Sequence, residues 1–481
     1  MLLGFPRIFG SKSGENQAKV IASVLATYSI GSDLIGTVTS DNASDNDTCI
    51  GNLEILISGL PEGWSIRSRI RCIGHIINLV VEDLLFGDNE QSKHAKSLAA
   101  AGEDGQYEVW IQLGLIGRIH NLCIYINQTP ERREAFEALQ KDASLPIWYV
   151  LLVDGGIRWH STYEMCQRVL KLKDIIIRWQ RKYVYYKGVD IRSSFLTNDD
   201  FEMLEIWCQI LQDFKDLCLS EECNATISTQ GTAAGVLKGL TCMYERLQDA
   251  EREIRTLNMA DRLVKPFIAG LTEASKKTLK YTTLIDETDI YYAAVILDPN
   301  FRLLWFEDHW AKYDNRKWYK RAAAGMQRLF DEYSEKYAPL LPSPSQEPSH
   351  EPDITESDTT AEQLPYHVRF NRLSAGVKSK KRRVAVKEDD YTRYIKYWDA
   401  AAWEPVEDII EWWNQHQNEF PILSRMAFDI LSIPGMSVEV ERIFSQAGNL
   451  VTASRTGLTD DTIEACQIQH HGLKNGHFSV A

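Results

Sequence analysis

A chain of 481 residues, 44% hydrophobic and 25% charged, has room for about three domains of roughly 150 residues each. No apolar run in it reaches the roughly 20 residues of a membrane span. The net charge of −14 argues against a protein that coats nucleic acid by bulk charge, although it leaves room for a local basic groove. Nine cysteines, odd in number and scattered, fit reduced thiols better than a disulfide framework. Met1-Leu2-Leu3 runs straight into Gly4-Phe5-Pro6-Arg7, so no secretory leader is expected.

In chain order, Leu2 to Phe9 reads as a strand. Val20, Ile21, Val24, Leu25 and Tyr28 form the apolar stripe of a helix led in by Ser13 and Glu15. Leu34 to Ser40 is a short β-branched run that predicts a strand ending at Asp41. Ile50, Leu53 and Ile57 mark the helix beyond it. Ile66 to Cys72 alternates as a further strand, and Ile73 to Leu85 is helical with Ile73, Ile76, Ile77, Val80 and Leu84 inward. This alternation points to an α/β layer arrangement. After Trp110 the chain turns helical, notably over Tyr163 to Trp179, Asp200 to Leu219 and Thr232 to Leu257. Leu341 to Leu364, rich in Pro, Ser and acids, reads as a disordered linker. The basic run Lys378 to Arg383 follows it. From Asp389 the chain is helical again and rich in tryptophan, at 398, 403, 412 and 413.

Five stretches carry chemistry-bearing side chains. Asp41 stands at the end of a strand, where α/β sheets place ligands, and its carboxylate suits Mg²⁺ or Mn²⁺. A capped turn using Asn42 and Ser44 explains the same residues. Cys72 and His75 have one-turn spacing, but no second pair completes a closed zinc site; a buried Cys and a hydrogen-bonded His are the plain alternative. Arg158 offers a phosphate fork and Trp159 a stacking plane, or else Trp159 is structural. In Leu297-Asp298-Pro299, Asp298 reads as a turn former. Finally, Pro434-Gly435 stops one element and Ser437 caps the next. Val440, Ile443, Phe444 and Ala447 are then expected inward. Glu441 lies on the flank, beside the small residues Ser437, Ser445 and Gly448; the bland reading is a surface Glu.

The last stretch, through Ser437, Glu441-Arg442, Phe444-Ser445, Gly448, Arg455 and Leu458, resembles the C-terminal dimerisation segment of hAT-superfamily DNA transposases. The Asp41 segment resembles that family's second acid motif, and Cys72 to His75 its Cys-x-x-His motif. Arg158 to Tyr163 is similar to its Arg-Trp-x-Ser-Thr-Tyr element, with His160 where the family pattern has Asn. A Leu-Asp-Pro element also recurs in the family. The resemblance implies an incomplete RNase H-like α/β core interrupted by a large helical insertion, with a C-terminal helical dimerisation region. The matching divisions are a partial core over 1–164, an insertion over 165–338, a linker over 339–388 and a dimerisation region over 389–475.

It further implies that Asp41 and Glu441 are two acids of an Asp-Asp-Glu site for Mg²⁺ or Mn²⁺, with His75 assisting at the scissile phosphate. Cys72, Arg158, Trp159 and Arg442 would contact DNA, and Trp412, Trp413 and Phe444 would lie in a dimer interface. The implied partners are a second copy or a full-length paralogue, and transposon ends; the implied location is the nucleus. In the family the first acid lies on a strand upstream of the point where this chain begins. Two ions about 4 Å apart share anionic ligands, so the expectation is an N-terminally truncated remnant whose cleavage falls by orders of magnitude. The alternatives are a dimerisation module without catalysis, or a DNA-binding module using Lys378 to Arg383, Arg158 and Trp159. That basic run also fits a nuclear-import signal.

Overall fold

Ser13 opens the first helix, α1 (Gly14–Thr27): its hydroxyl accepts the amide of Asn16 at 3.4 Å, and Glu15 occupies the first turn. The computed structural model describes residues 2–87, 106–154, 159–182, 191–227, 233–314, 317–340, 389–397, 405–450 and 457–477. The 341–388 stretch, which holds most of the expected linker and its basic run, lies outside them, as do Trp398, Trp403 and Arg158. Helix α1 packs on α2 (Ser44–Leu56) through Gly14. A Cβ at Gly14 would stand 2.2 Å from the Asp45 carbonyl oxygen and 2.6 Å from the Cys49 nitrogen. Only glycine lets the two backbones approach so closely. Ala18, Cys49, Ile50, Leu53 and Trp64 form the core beneath, with Trp64 on the single-turn helix α3 (Trp64–Arg67).

Two of the expected strands form in part: of Leu34 to Ser40 only Val38–Ser40 is strand, Leu34 ending a 3-10 turn, and of Ile66 to Cys72 only Arg69–Arg71, Ile66 lying on α3. Strand β1 (Val38–Ser40) pairs in parallel with β2 (Arg69–Arg71), Thr39 opposite Ile70. Among the described residues these two make up the sheet. Leu2 to Phe9 is not a strand. It is irregular, and side chains rather than a ladder hold it: the Phe5 amide donates to Glu464 Oε1 at 2.7 Å, and Arg7 pairs with Asp460 at 3.1 Å. A strand needs a neighbouring strand for its amides, and here carboxylates take that place.

The chain divides into two compact units, one of residues 1–71, 223–237 and 285–481, the other of 72–222 and 238–284. The second unit is helical: α4 (Ile73–Phe86), α5 (Gly114–Asn127), α6 (Pro130–Asp142), α7 (Trp159–Lys171), α8 (Lys173–Lys182), and most of α9 (Asn198–Ile227), α10 (Ala233–Thr256) and α11 (Asp261–Ile285). Helix α4 buries Ile73, Ile76, Ile77, Val80 and Leu84 as its spacing predicts.

The first unit continues with α12 (Ile290–Ile296), α13 (Leu304–Asp314) and α14 (Lys317–Tyr337). Its C-terminal part holds α15 (Asp390–Tyr397), α16 (Ile409–Gln415), α17 (Pro421–Leu431), α18 (Val438–Leu450) and α19 (Asp460–Lys474). The Leu-Asp-Pro turn anchors this part. Asp298 Oδ1 accepts the Asn300 amide at 3.0 Å, so it is the turn former its sequence suggests. The buried carbonyls at the end of α12 are bonded from the C-terminal part: Tyr394 donates to Ile296 O at 3.0 Å and Trp413 Nε1 to Leu297 O at 2.8 Å. Asn300 and the Val406 backbone exchange two bonds of 2.9 Å. Asp390, at the start of α15, reaches across to accept the Ile422 amide at 2.7 Å, capping the N-terminus of α17.

Candidate functional site

Strand β1 delivers Asp41 to the N-terminal end of α2. The carboxylate is half-buried, and its Oδ1 accepts the Ala43 amide at 2.8 Å and the Asn46 side-chain amide at 2.6 Å. Asp41 therefore caps the turn into α2, the role that an Asx turn gives it. Below it lie Arg69 and Arg71. With a period of two, both point to one face of β2 while Ile70 points to the other. Both are buried, at 4% and 7% exposed. Arg69 donates to Asp41 O at 2.5 Å, to Ser40 Oγ at 2.6 Å and to Asp47 Oδ1 at 3.1 Å. Arg71 approaches the same Asp47 oxygen at 3.5 Å and Glu287 at 3.9 Å. Asp47 thus stands between two buried guanidiniums and offsets their repulsion. Asn46, Asp47, Arg69 and Arg71 were not singled out from sequence. The available signal was two arginines two apart in a strand, which puts two cations on one side.

The Glu441 segment reaches the same strand. Thr39 Oγ1 donates to Pro434 O at 2.8 Å, tying β1 to the turn before α18. Helix α18 starts at Val438, directly after Ser437, and Glu441 lies exposed in its second turn, with Arg442 half-buried beside it. The expected inward stripe is half right. Ile443 and Ala447 are buried, but Val440 is 52% and Phe444 61% exposed. The core touches only the Ile443–Ala447 side of the stripe. Phe444 meets Phe5 with ring centroids 5.2 Å apart and turns the rest of its ring to solvent.

Asp41 and Glu441 carry the hard oxygens that Mg²⁺ or Mn²⁺ takes. Asp41 Oδ1 is occupied by two N–H donors, and no group of three His, Cys, Asp or Glu able to hold a metal occurs among the described residues. Of the expected DNA contacts, Cys72 is 1% exposed and Trp159 is 3% exposed, its ring tilted at 32° to that of His160 with centroids 4.0 Å apart. Both side chains are buried in this structure. The start of α7 explains Trp159: buried Asp154 accepts hydroxyls from Ser161, at 2.6 Å, and Thr162. These bonds tie Asp154 to the first turn of α7, the turn that carries Trp159. His75 is half-buried on the first turn of α4. Trp413, expected in an interface, is fully buried within its own chain, while Trp412 is half-buried and stacked on His416 at 3.9 Å.

Comparison with known proteins fits this arrangement. Residues 390–473 match the hAT family C-terminal dimerisation region, and residues 70–210 match the ZBED1 RNase-like helical domain. A Talaromyces stipitatus protein provisionally named transcriptional regulator tpeD is 24% identical over 96% of this chain and 49% of its own. The zinc finger BED domain-containing protein DAYSLEEPER of Arabidopsis thaliana is 24% identical over 69% of this chain and 42% of its own. A Zea mays protein provisionally named AC transposase is 22% identical over 96% and 51%. The chain spans about half the length of these relatives. A helix-rich protein with a dimerisation region at its C-terminal end is the class so defined. Over these stretches the chain is similar to hAT transposases and to transposase-derived regulators.

Proposed function

We propose that this chain is a self-associating, transposase-derived protein of the nucleus, and that α18 pairs it with a second copy or with a full-length relative. The observation that carries this reading is the exposure of Val440 and Phe444 side by side on a helix inside the matched dimerisation region. Two large apolar side chains on one helix flank, backed by the buried Ile443 and Ala447, suit a helix-to-helix contact. No described helix is long and apolar enough to cross a membrane. Two differently tagged copies should co-purify, and Val440→Asp with Phe444→Asp should abolish this while leaving the circular dichroism melt in place. Co-purification that survives both changes would remove α18 from the interface.

Strand cutting is not part of this reading, and an RNase H-like core is not needed for it. Asp41 serves as a cap and its guanidinium neighbours serve the strand ends. Incubated with Mn²⁺ and a nicked or hairpin transposon-end DNA, the chain should leave the strands intact. Robust cleavage that disappears in Glu441→Gln would overturn this part and restore the catalytic reading of Asp41 and Glu441.

A further inference from the structure

Leu2 to Phe9 follows α19 by side-chain contacts whose spacing matches the helix. Arg7 pairs with Asp460 at 3.1 Å, and the Phe5 amide donates to Glu464 Oε1 at 2.7 Å. Two residues of extended chain span about 6.6 Å, and four helical residues rise about 6 Å. A step back from Arg7 to Phe5 thus keeps pace with the step forward from Asp460 to Glu464, and the segment runs antiparallel to α19. Its other side meets α1. A Cβ at Gly4 would stand 3.1 Å from Val24 Cγ2 and 3.3 Å from Glu464 Oε1, so this glycine is pinched between α1 and α19. The Phe5 ring turns to α18 and lies 5.2 Å from that of Phe444. Leu2, Leu3, Phe5 and Ile8 are half-buried. One segment therefore joins α1, α18 and α19, all parts of the first unit. Its hold is made of small pieces. Arg7 and Asp460 are exposed, and an exposed ion pair contributes little. One amide bond, one ring pair and four half-buried apolar side chains supply the rest.

We propose that Leu2 to Phe9 is a strap that fastens the α18–α19 pair to α1 and so controls self-association, with Phe5 backing the face that a second copy covers. This rests on the reading that α18 pairs two copies. With the strap closed, Phe5 supports one side of the Phe444 ring, and the exposed side joins Val440 as a fixed apolar surface. With the strap released, α18 and α19 lose their tie to α1, and Phe444 loses its support. A surface ordered beforehand binds more tightly than one that must be ordered on contact. Closing the strap therefore strengthens pairing, and opening it weakens pairing. Because the hold is made of small pieces, single substitutions suffice to open it while the rest of the unit stays folded.

The test uses the full chain with two readouts. Hydrogen exchange of the dilute single chain reads the hold on α19, and sedimentation velocity at higher concentration reads pairing. Two variants open the strap from different sides and leave Val440 and Phe444 in place. Phe5→Ala removes the ring, and Gly4→Leu crowds Val24 and Glu464. The expected result in both is exchange over 460–474 at least about tenfold faster, with the buried helix α12 of the same unit unchanged. Pairing is expected to weaken at least about tenfold in both. Exchange over 460–474 as slow as in wild type overturns the strap, whatever the pairing does. Faster exchange with pairing at wild-type strength overturns its control of self-association. A wild-type chain that never pairs sinks the α18 reading and this proposal with it; exchange that still quickens in the variants tells that failure from a failure of the strap itself.

Discussion

Asp200→Asn is expected to destabilise the helical unit by about 3–5 kcal/mol at neutral pH, the cost of breaking a buried ion pair from one side. Asp200 is fully buried. Its Oδ1 accepts Arg118 Nη2 at 2.5 Å and Arg262 Nη1 at 2.8 Å. Its Oδ2 accepts Arg118 Nη1 at 3.0 Å and the Thr197 amide at 2.7 Å. One carboxylate thus caps the start of α9 and binds α5 and α11 to it. Asparagine keeps the size but turns an N–H toward a guanidinium. Burial alone would raise the Asp200 pKa. The bonds from Arg118, the Thr197 amide and Arg262 outweigh burial, and the carboxyl titrates well below the usual carboxylate range. The sign follows. A depressed folded-state pKa contributes stability that is full above the unfolded value of about 3.9 and is lost as pH falls toward the folded one. Urea midpoints of wild type and Asp200→Asn should therefore differ most near pH 7 and converge in acid. A gap independent of pH would show that the charge of Asp200 is not what holds these helices.

Trp413→Ala is the second large effect, about 3–5 kcal/mol for an emptied aromatic site. The indole lies 5.1 Å from Tyr394, 4.9 Å from Trp412 and 6.2 Å from Phe420 by ring centroids, and its Nε1 bonds Leu297 O at 2.8 Å. Removal leaves a cavity and a carbonyl without its donor. Trp413→Phe keeps most of the packing and loses the bond alone, so it should cost about 1–3 kcal/mol. Protease nicking within 390–431 should rise in the alanine variant and rise less in the phenylalanine one. Unchanged stability together with a changed oligomeric mass would instead place Trp413 at a surface.

The misreadings share one cause. Local patterns were legible: the Ile73–Val80 stripe and the Ser13 lead into α1 depend on a few neighbouring residues and form as read, while the β-branched run before Asp41 forms strand only over Val38–Ser40. What covers an element depends on distant residues. Leu2 to Phe9 has strand composition but meets Glu464 and Asp460 rather than a strand. The α18 stripe could be drawn on a helical wheel, but the wheel does not say that the core stops short of Val440 and Phe444. A tryptophan-rich tail reads equally as interface or interior, and the bond to the buried carbonyl of Leu297 decides for Trp413. Asp41 was legible as a ligand, while the cap was read onto Asn42 and Ser44. The deciding neighbours, Asn46 and Arg69, are ordinary residues in sequence and acquire meaning only when β1 and β2 pair.

Pairing of two copies through α18 is most directly tested by sedimentation velocity of the purified full chain over a wide concentration range. The predicted result is a two-chain species whose share grows with concentration, and a single-chain species throughout for the Val440→Asp/Phe444→Asp protein. A wild-type chain that sediments as one copy at every concentration would contradict the account.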